Sequence, residues 1–233
     1  MKDIIRLEEV WKTYRMGEVA VNALRGVSCE IERGEFVAIT GSSGSGKSTM
    51  MHLVGCLDLP TRGRVLLAGE DISRMSESRL AAVRGRKIGF VFQQFNLIPT
   101  MTAQENVMLP MDFQGMDPEK AKEHAARLLD QVGLADRANH LPTQLSGGQM
   151  QRVAIARSLA VDPDIILADE PTGNLDSKTG QFVMDLLKRI HREEGKTIII
   201  VTHDLNLVTY GERIVYLKDG QVERVGRNAG RVE

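Results

Sequence analysis

A glycine-rich run that ends in a lysine and a serine follows directly after an apolar segment. The apolar segment is Phe36-Val-Ala-Ile-Thr40, and the run is Gly41-Ser-Ser-Gly-Ser-Gly-Lys47-Ser48, which fits the pattern G-x-x-x-x-G-K-[ST]. This order predicts a strand, a tight loop and a helix that opens at Lys47. Glycines let the backbone wrap around an anion, amide groups point inward, and the helix presents its positive end. The run therefore predicts an α/β fold with a phosphate-binding loop.

The loop and the first turn of its helix form the predicted nucleotide-binding segment. Lys47 can reach the β- and γ-phosphates, which also makes it a candidate catalytic residue, and the Ser48 hydroxyl can ligate Mg²⁺. A turn that binds nothing has no need of the Lys-Ser pair at its end. The loop alone leaves kinases, GTPases and molecular motors open. The candidate nucleotide-binding residues in this segment are Gly41, Ser42, Ser43, Gly44, Ser45, Gly46, Lys47, Ser48 and Thr49.

Further apolar runs indicate a mainly parallel sheet. Short β-rich runs recur between turn signals, at residues 65–67, 88–92, 165–168 and 197–201. The last two are nearly continuous apolar runs, which is typical of strands buried on both faces. A helix is predicted between them over 178–194, because apolar residues recur there with helical spacing and Gly195 follows. Strand, helix and strand in this order predict a crossover unit.

The middle third of the chain has helical signals and no convincing strand. Thr102-Ala-Gln-Glu105 has the capping-box pattern, and Asp117-Pro118 opens a helix that Gly133 closes. We therefore expect a helical subdomain, over about 99–160, inserted into the α/β core. Near the end of the chain, Asp219-Gly220 separates two β-rich runs and predicts a hairpin of small antiparallel strands.

Composition narrows the range of partners. The 233 residues are 42% apolar and 26% charged, and the net charge of −1 gives no reason to expect a nucleic-acid surface. No apolar run approaches the ~20 residues that a membrane span needs, and the N-terminus lacks a signal-peptide pattern. If the protein works at a membrane, we expect another chain to supply the membrane part. Cys29 and Cys56 lack metal-ligand spacing and are predicted to be core residues.

Two carboxylates follow the apolar run 165–168. Asp169 and Glu170 stand at the predicted carboxyl end of that strand, where ligands of open α/β sheets bind. Asp169 at the strand tip can hold Mg²⁺ through its water shell, and Glu170 can polarise the attacking water. This is the Walker B arrangement, and it predicts hydrolysis of the bound nucleotide.

A second helix N-terminus also suits an anion. Leu145-Ser-Gly-Gly-Gln149 precedes a predicted helix that runs from Met150 to Ala160, and a Ser-Gly-Gly turn at such a position can bind phosphate. The chain has two such helix N-termini but one phosphate-binding loop. The simplest use of the second is to close over the nucleotide of another copy, so that two subunits share each active site.

Together these motifs resemble those of the ATP-binding-cassette (ABC) ATPases, in which an LSGGQ signature precedes the Asp-Glu pair as it does here. The resemblance extends over essentially the whole chain. It implies a single domain over 1–233, with a P-loop NTPase core, a mainly parallel sheet, a small antiparallel β subdomain and the inserted helices. It also implies ATP as substrate, Mg²⁺ as cofactor, hydrolysis to ADP and phosphate, and a homodimer in the ATP-bound state.

The resemblance implies roles for residues outside the main motifs as well. Tyr14 matches an aromatic residue that stacks on adenine. Gln93, rather than Gln94, matches a glutamine that senses Mg²⁺ and the γ-phosphate, which makes it a candidate metal-binding and catalytic residue. His203 matches a catalytic histidine that contacts the γ-phosphate. The residues expected to act on the nucleotide across the dimer interface are Ser146, Gly147, Gly148, Gln149 and Asp176.

Three segments, 92–99, 169–176 and 202–204, look most like the branch that drives lipoprotein release, macrolide export and peptide efflux. ATPases of polar amino-acid importers are the main competing class within the family. The single cassette with short connections disfavours a non-transport ABC ATPase, and the signature together with His203 disfavours a P-loop kinase. We therefore expect a cytoplasmic subunit, held at the inner face of the membrane by a separate integral permease, with no nucleic-acid partner.

Overall fold

The computed structural model describes residues 3–17 and 19–228. Within these residues the strands are β1 Asp3–Met16, β2 Val19–Glu32, β3 Phe36–Gly41, β4 Arg62–Leu67, β5 Glu70–Asp71, β6 Ile88–Val91, β7 Ile165–Asp169, β8 Thr197–Val201, β9 Arg213–Lys218 and β10 Gln221–Arg227. The α-helices are α1 Lys47–Val54, α2 Glu77–Lys87, α3 Ala103–Phe113, α4 Pro118–Gln131, α5 Gly147–Leu159, α6 Ser177–Glu194 and α7 Leu205–Val208.

The described residues fall into two compact units. The first is drawn from Met1–Arg84 and Gly195–Glu233, and the second from Gly85–Glu194. Among the described residues, every helix is too short or too polar to span a lipid bilayer.

The first unit contains a buried group of parallel strands. β3 pairs in parallel with β8 on one side and with β9 on the other. All five residues of β8 and the first five of β3 are buried, as expected for strands covered on both faces. The predicted strand at 197–201 is confirmed with the same bounds, and the strand predicted at 36–40 extends to Gly41.

A hairpin closes this unit near the end of the chain. β9 and β10 pair antiparallel around Asp219 and Gly220, which have φ values of 49° and 79°. Positive φ at both central residues is the type I′ conformation that an Asp-Gly pair favours. The predicted hairpin is therefore confirmed.

The first unit also contains an antiparallel sheet in the order β2-β1-β4-β5. Its two long strands were not predicted from the sequence, although Val27, Cys29 and Ile31 of β2 are buried and alternate with exposed residues, as in a half-buried strand. Several register shifts interrupt the pairing of β1 with β2, and Glu9 in β1 has a φ of 47°. These irregularities break the period-2 pattern by which such strands are found.

The second unit combines the parallel pair β6 and β7 with helices α3 to α6. Ile88 lies opposite Ile165 and Val91 opposite Ala168, so both strands end at the same edge. The strand predicted at 88–92 ends one residue earlier than expected, at Val91.

The helix starts in this unit follow the predicted caps. Thr102 and Glu105 form a reciprocal capping box at the start of α3, and Asp117 caps α4 with Pro118 at its first turn. Residues 99–160 contain three α-helices and no strand, while the exact limits of the predicted helical subdomain stay a prediction. The helix predicted at 178–194 begins one residue earlier, and it buries Val183, Leu186, Leu187 and Ile190.

Candidate nucleotide-binding and hydrolysis site

The loop between β3 and α1 is held by close backbone contacts in the first unit. A Cβ atom at Gly41 would lie 2.1 Å from the carbonyl oxygen of Leu217 in β9, and one at Gly46 would lie 2.6 Å from that of Ala23 in β2. Only glycine fits such approaches, and Gly46 also has a φ of 102°. The amide of Gly220 donates to the carbonyl of Ser45 at 3.0 Å, which ties the loop to the β9–β10 turn.

The loop presents donors that suit a polyphosphate. Gly46 is the N-cap of α1 and provides no side-chain cap, and helical bonding starts with the Met50 amide on the Gly46 carbonyl. Among the described residues, no backbone acceptor meets the amides of Lys47, Ser48 and Thr49. Amides at a helix start are anion-binding groups, and α1 has no acidic residue in its first turn to compete.

Two side chains of the loop support the same interpretation. The Nζ atom of Lys47 donates to the carbonyls of Gly41 and Ser42 at 2.9 Å each, so the ammonium lies over the loop. The Oγ atom of Ser45 is buried and has no partner among the described residues. A positive charge and an unmatched buried hydroxyl on a ring of amides fit phosphate oxygens.

Tyr14, the predicted adenine-stacking residue, lies beside the start of α1. Its hydroxyl donates to Asp58 Oδ2 at 3.0 Å and also contacts Thr49. Burial and the bond to Asp58 raise the pKa of Tyr14, while Thr49 acts in the opposite direction. The side chain is 36% exposed, which leaves part of the ring open to a base. The structure thus brings Tyr14 to the helix turn that carries Thr49.

His203 follows β8 as predicted and is exposed. Because β3 and β8 run parallel with Ile39 opposite Val201, His203 and the phosphate-binding loop leave the same edge of the strands. The amide of Thr202 donates to the carbonyl of Ile39 at 3.1 Å, which fixes the start of this segment. The first unit therefore brings together Tyr14, the loop 41–49 and His203 at one end of its parallel strands.

The second unit carries the two predicted carboxylates. Asp169 is the last residue of β7 and Glu170 follows it with a φ of 44°. A left-handed glutamate is strained, and such strain is concentrated at functional sites. Helix α5 holds the residue that follows Glu170, because Nε2 of Gln151 donates to the carbonyl of Pro171 at 2.7 Å.

Gln93 lies against the loop that follows these carboxylates. Nδ2 of Asn174 donates to the Gln93 carbonyl at 2.9 Å, and a Cβ atom at Gly173 would lie 2.6 Å from Nε2 of Gln93. The bare backbone at Gly173 therefore lets the Gln93 side chain approach. The second unit brings together the glutamine and the Asp-Glu loop.

The signature turn forms the start of α5. Ser146 is the N-cap, its hydroxyl accepts from the Gln149 amide, and the Gln149 side chain accepts from the Ser146 amide at 2.8 Å. Gly148 is buried, and a Cβ atom there would lie 2.2 Å from Cγ2 of Thr179 in α6. Asp176 accepts from both the amide and the hydroxyl of Thr179, and these bonds lower the pKa of Asp176. The signature turn and Asp176 therefore meet at Thr179 in one chain.

Several residues that hold the site were not found from the sequence. They are Lys12, Asp58, Gln151, Arg157 and Thr179. The contacts of Lys12, Asp58, Gln151 and Arg157 join positions far apart in the chain, so no local pattern marks them. Thr179 lies three residues beyond Asp176, and its contact with the signature turn depends on how the chain folds.

Comparison with known proteins identifies the family. The sequence model of the family described as "ABC transporter" matches residues 24–173. The chain is 57% identical over 227 residues to an uncharacterised ABC transporter ATP-binding protein of Thermotoga maritima, covering 97% of each. It is 51% identical over 219 residues to the macrolide export ATP-binding/permease protein MacB of Brucella melitensis, covering 94% of this chain and 34% of MacB.

A solved structure supports the same assignment. The chain is similar to MJ0796 of Methanocaldococcus jannaschii, an ATP-binding cassette whose dimer was solved in a post-hydrolysis state bound to ADP and Pi. The TM-score is 0.89 at 53% identity, and the match covers 97% of this chain and 99% of the other. This similarity confirms the predicted fold class. The protein belongs to the ABC transporter family, as an ATP-binding subunit with ATPase activity.

Proposed function

We propose that two copies of this subunit close on ATP, hydrolyse it at shared sites and thereby drive a separate membrane permease. The observation that carries the proposal is a second glycine-rich helix start, at Ser146 of α5, in a chain with one phosphate-binding loop. A second copy gives that turn a phosphate to bind. MJ0796 was solved as a dimer, and this supports a pairing of two copies here.

The proposed roles within the site follow from the chemistry of each group. Glu170 takes up the proton of the attacking water, and Lys47 and His203 hold the γ-phosphate. Tyr14 stacks on adenine. The residues proposed to act across the dimer interface are Ser146, Gly147, Gly148, Gln149 and Asp176.

The residues present fit Mg²⁺ better than a metal that needs a protein cage. Among the described residues there is no cluster of three or more His, Cys, Asp or Glu side chains that could hold a metal. Mg²⁺ keeps several waters and binds through one or two carboxylates together with substrate phosphates. We propose Ser48, Asp169 and Gln93 as its protein contacts. When bound, the ion supplies charge that stabilises the phosphoryl group in the transition state.

The transported substrate is proposed from the relatives. MacB is named as a macrolide export protein and is about three times as long as its match to this chain. We propose that the present subunit serves a permease for lipoprotein release or for macrolide or peptide efflux, and works at the cytoplasmic face of the membrane. The competing proposals are the ATPase of a polar amino-acid importer and a non-transport ABC ATPase.

The Glu170→Gln variant tests the catalytic and dimer parts of the proposal. The amide keeps the size of the side chain but is a poor base, so ATP binding should persist while hydrolysis falls by orders of magnitude. The trapped protein should elute as a dimer in Mg²⁺ and ATP, measured by light scattering after size exclusion. The matched control is Lys47→Ala, which should lose ATP binding and stay monomeric. Unchanged turnover in Glu170→Gln would exclude Glu170 as the base.

Co-purification of the same variant tests the transport part. Glu170→Gln protein isolated from its native membranes in Mg²⁺ and ATP should bring with it a permease of few spans and a large extracytoplasmic domain, identified by mass spectrometry. A multi-span permease with a solute-binding protein would instead support an importer. Ribosomal or DNA-bound partners without a permease would contradict the transport function.

A further inference from the structure

An arginine of the signature helix α5 forms hydrogen bonds with the segment that follows Gln93. Nη1 of Arg157 donates to the carbonyl of Asn96 at 2.6 Å, and Nη2 donates to the carbonyl of Phe95 at 2.8 Å. These bonds join positions 61 and 62 residues apart in the chain. One guanidinium thus spans two successive carbonyls, which is the geometry that its planar fork allows.

The segment bound by Arg157 has an unfavourable backbone conformation at two residues, which we call the Phe95–Asn96 bend. Phe95 has a φ of 56° and Asn96 a φ of 49°, so two consecutive residues with side chains lie in the left-handed region. In this region the Cβ of any L-residue approaches the following carbonyl oxygen, and asparagine offsets that cost better than phenylalanine because its short polar side chain can form local hydrogen bonds. Such a bend persists only where its surroundings over-determine it. The two Arg157 bonds supply such a restraint.

The side chain of Arg157 uses its hydrogen-bond donors for this contact. Among the described residues, no carboxylate forms an ion pair with it, and the hydrogen bonds of its side chain go to these two carbonyls. It is half-buried, and burial lowers the pKa of its guanidinium. Charged donors make the stronger class of hydrogen bond, so the carbonyls and the guanidinium satisfy each other.

The bend lies between the other functional segments of the second unit. A Cβ atom at Gly147 in the signature turn would lie 3.7 Å from Cζ of Phe95 and 3.4 Å from Cδ2 of Leu175. Leu175 follows Asn174, whose amide donates to the carbonyl of Gln93. Phe95 therefore packs at the signature turn, two residues beyond Gln93.

We propose that Arg157 is a positioning residue that holds the Phe95–Asn96 bend and thereby fixes the position of Gln93 relative to the signature helix. The proposal rests on the proposed role of Gln93 in sensing the γ-phosphate and Mg²⁺. Arg157 touches neither nucleotide nor metal in this scheme, and it acts through the bend. Through it, a movement of Gln93 and a movement of the signature turn become linked.

The Arg157→Met variant of the full chain removes both hydrogen bonds to the bend and keeps an unbranched side chain of intermediate length. We expect kcat to fall about tenfold or more because Gln93 is displaced, while the Kd for ATP, set by the first unit, changes less than about threefold. Amide hydrogen exchange of residues 93–97 should become faster, and exchange of α6 should not change. Arg157→Lys, a single point charge that cannot form the fork, should fall between the two proteins.

Rescue with glycine separates this role from general loss of stability. Glycine adopts positive φ more readily than asparagine does, and a change at 96 leaves the packing of the Phe95 ring intact, so Asn96→Gly in the Arg157→Met background should restore part of the lost kcat and slow the exchange of 93–97. Asn96→Gly alone should have near wild-type turnover. Melting temperatures of all four proteins show whether kcat follows overall stability. If kcat follows melting temperature alone, the positioning role is excluded.

Three further outcomes would overturn the proposal in distinct ways. Unchanged exchange of 93–97 in Arg157→Met would show that Arg157 does not hold the bend. Faster exchange with normal kcat, or a lost kcat that glycine does not restore, would show that the bend does not position Gln93. The failure of the proposed function is separate, since Gln93→Ala with normal turnover would remove the role of Gln93 while the exchange result on Arg157 still stood.

Discussion

The hydroxyl of Tyr14 donates a hydrogen bond of 3.0 Å to Asp58, a residue in the loop that follows α1. The other oxygen of Asp58 accepts from Lys12 at 2.5 Å, and the Lys12 ammonium lies 5.0 Å from the centre of the Tyr14 ring. Burial favours the protonated acid, but bonds from Lys12, the Leu59 amide and Tyr14 outweigh it and lower the pKa of Asp58. A charged, anchored aspartate therefore fixes the orientation of the proposed adenine platform.

Replacing Asp58 with alanine should weaken ATP binding without removing any group that contacts the nucleotide. We expect Kd to rise about three- to tenfold, the equivalent of one hydrogen bond, because the Tyr14 ring becomes free to rotate. Tyr14→Phe, which keeps the ring and loses the anchor, should show a similar rise, and Tyr14→Ala a larger one. Calorimetric titration measures all three. Normal affinity in Asp58→Ala together with a large loss in Tyr14→Ala would refute the anchoring role.

The contact between Gly148 and Thr179 predicts a strict size limit in the signature turn. Gly148→Ala would place a methyl group 2.2 Å from Cγ2 of Thr179. We expect a loss of roughly 1–3 kcal/mol in the free energy of unfolding, because Gly148 and Thr179 lie in two helices that pack against each other at this contact. We also expect turnover to fall. Urea denaturation and phosphate release measure the two effects.

A compensating substitution provides the control for that prediction. Thr179→Ser removes the methyl group and keeps the hydroxyl that donates to Asp176 at 2.6 Å. Stability should recover in the Gly148→Ala, Thr179→Ser double variant. Equal destabilisation with serine or threonine at 179 would mean that the clash is not the cause. Recovery of stability without turnover would show that Gly148 also meets the nucleotide.

Shared active sites predict complementation between two inactive proteins. Ser146→Arg damages the signature turn and Lys47→Ala damages the phosphate-binding loop, so each alone should hydrolyse almost no ATP. A mixed dimer has one site in which both parts are intact. One bound ATP must hold such a mixed dimer together, because Lys47→Ala subunits do not dimerise by themselves. At equal amounts we therefore expect at most about a quarter of the wild-type rate, the value for random pairing and independent sites.

The matched control for complementation is a mixture of wild-type and Lys47→Ala subunits, whose mixed dimers also hold one intact site. Activity from those mixed dimers, combined with none at any ratio of Ser146→Arg to Lys47→Ala, would contradict shared sites. Absence of activity in both mixtures would show instead that both sites of a dimer must work.

The two cysteines predict how stability depends on alkaline pH. Cys29 and Cys56 are both buried, and burial raises the pKa of each thiol to about 11 from its ordinary value of 9.0. Between these values the unfolded chain releases protons that the folded chain keeps, so stability is intact below pH ~9 and falls as pH rises toward ~11. The loss should reach roughly 3 kcal/mol per thiol, at about 1.4 kcal/mol for each pKa unit.

Urea denaturation at pH values from about 7 to 11 measures this dependence. A variant with Cys29→Ala and Cys56→Ala should lose less stability over the same interval, although its stability at neutral pH is lower because of the cavities. Parallel pH curves for the two proteins would contradict the thiol assignment. Slow reaction of both thiols with an alkylating reagent at pH ~8 in the folded state is the corresponding kinetic expectation.

Most of the elements that start or stop at a short motif were predictable. The phosphate-binding loop, the caps at Thr102 and Asp117 and the Asp219-Gly220 turn all depend on residues within a few positions of one another. Steric and hydrogen-bond rules act on such neighbours whatever the remaining fold. The buried strands predicted at 165–168 and 197–201 were found for a related reason, since their apolar runs are continuous, and the first extends one residue further, to Asp169.

The long strands β1 and β2 escaped prediction because bulges interrupt their alternation, and strand pairing depends on partners elsewhere in the chain. The positive φ of Glu170 and of Phe95 likewise has no local sequence signal. Both are L-residues that the surrounding structure holds in an unfavourable conformation, so neighbouring residue types do not reveal them.

The sequence by itself determined the phosphate-binding loop, the Asp169-Glu170 pair and the signature turn, because each is a run of a few residues with a fixed chemical task, and these runs carry the resemblance to the family. Only the tertiary structure decided which side chains hold those residues in place. Asp58 reaches Tyr14 across 44 positions and Arg157 reaches Phe95 across 62. Contacts over such separations arise when secondary-structure elements pack, and packing depends on the whole core at once.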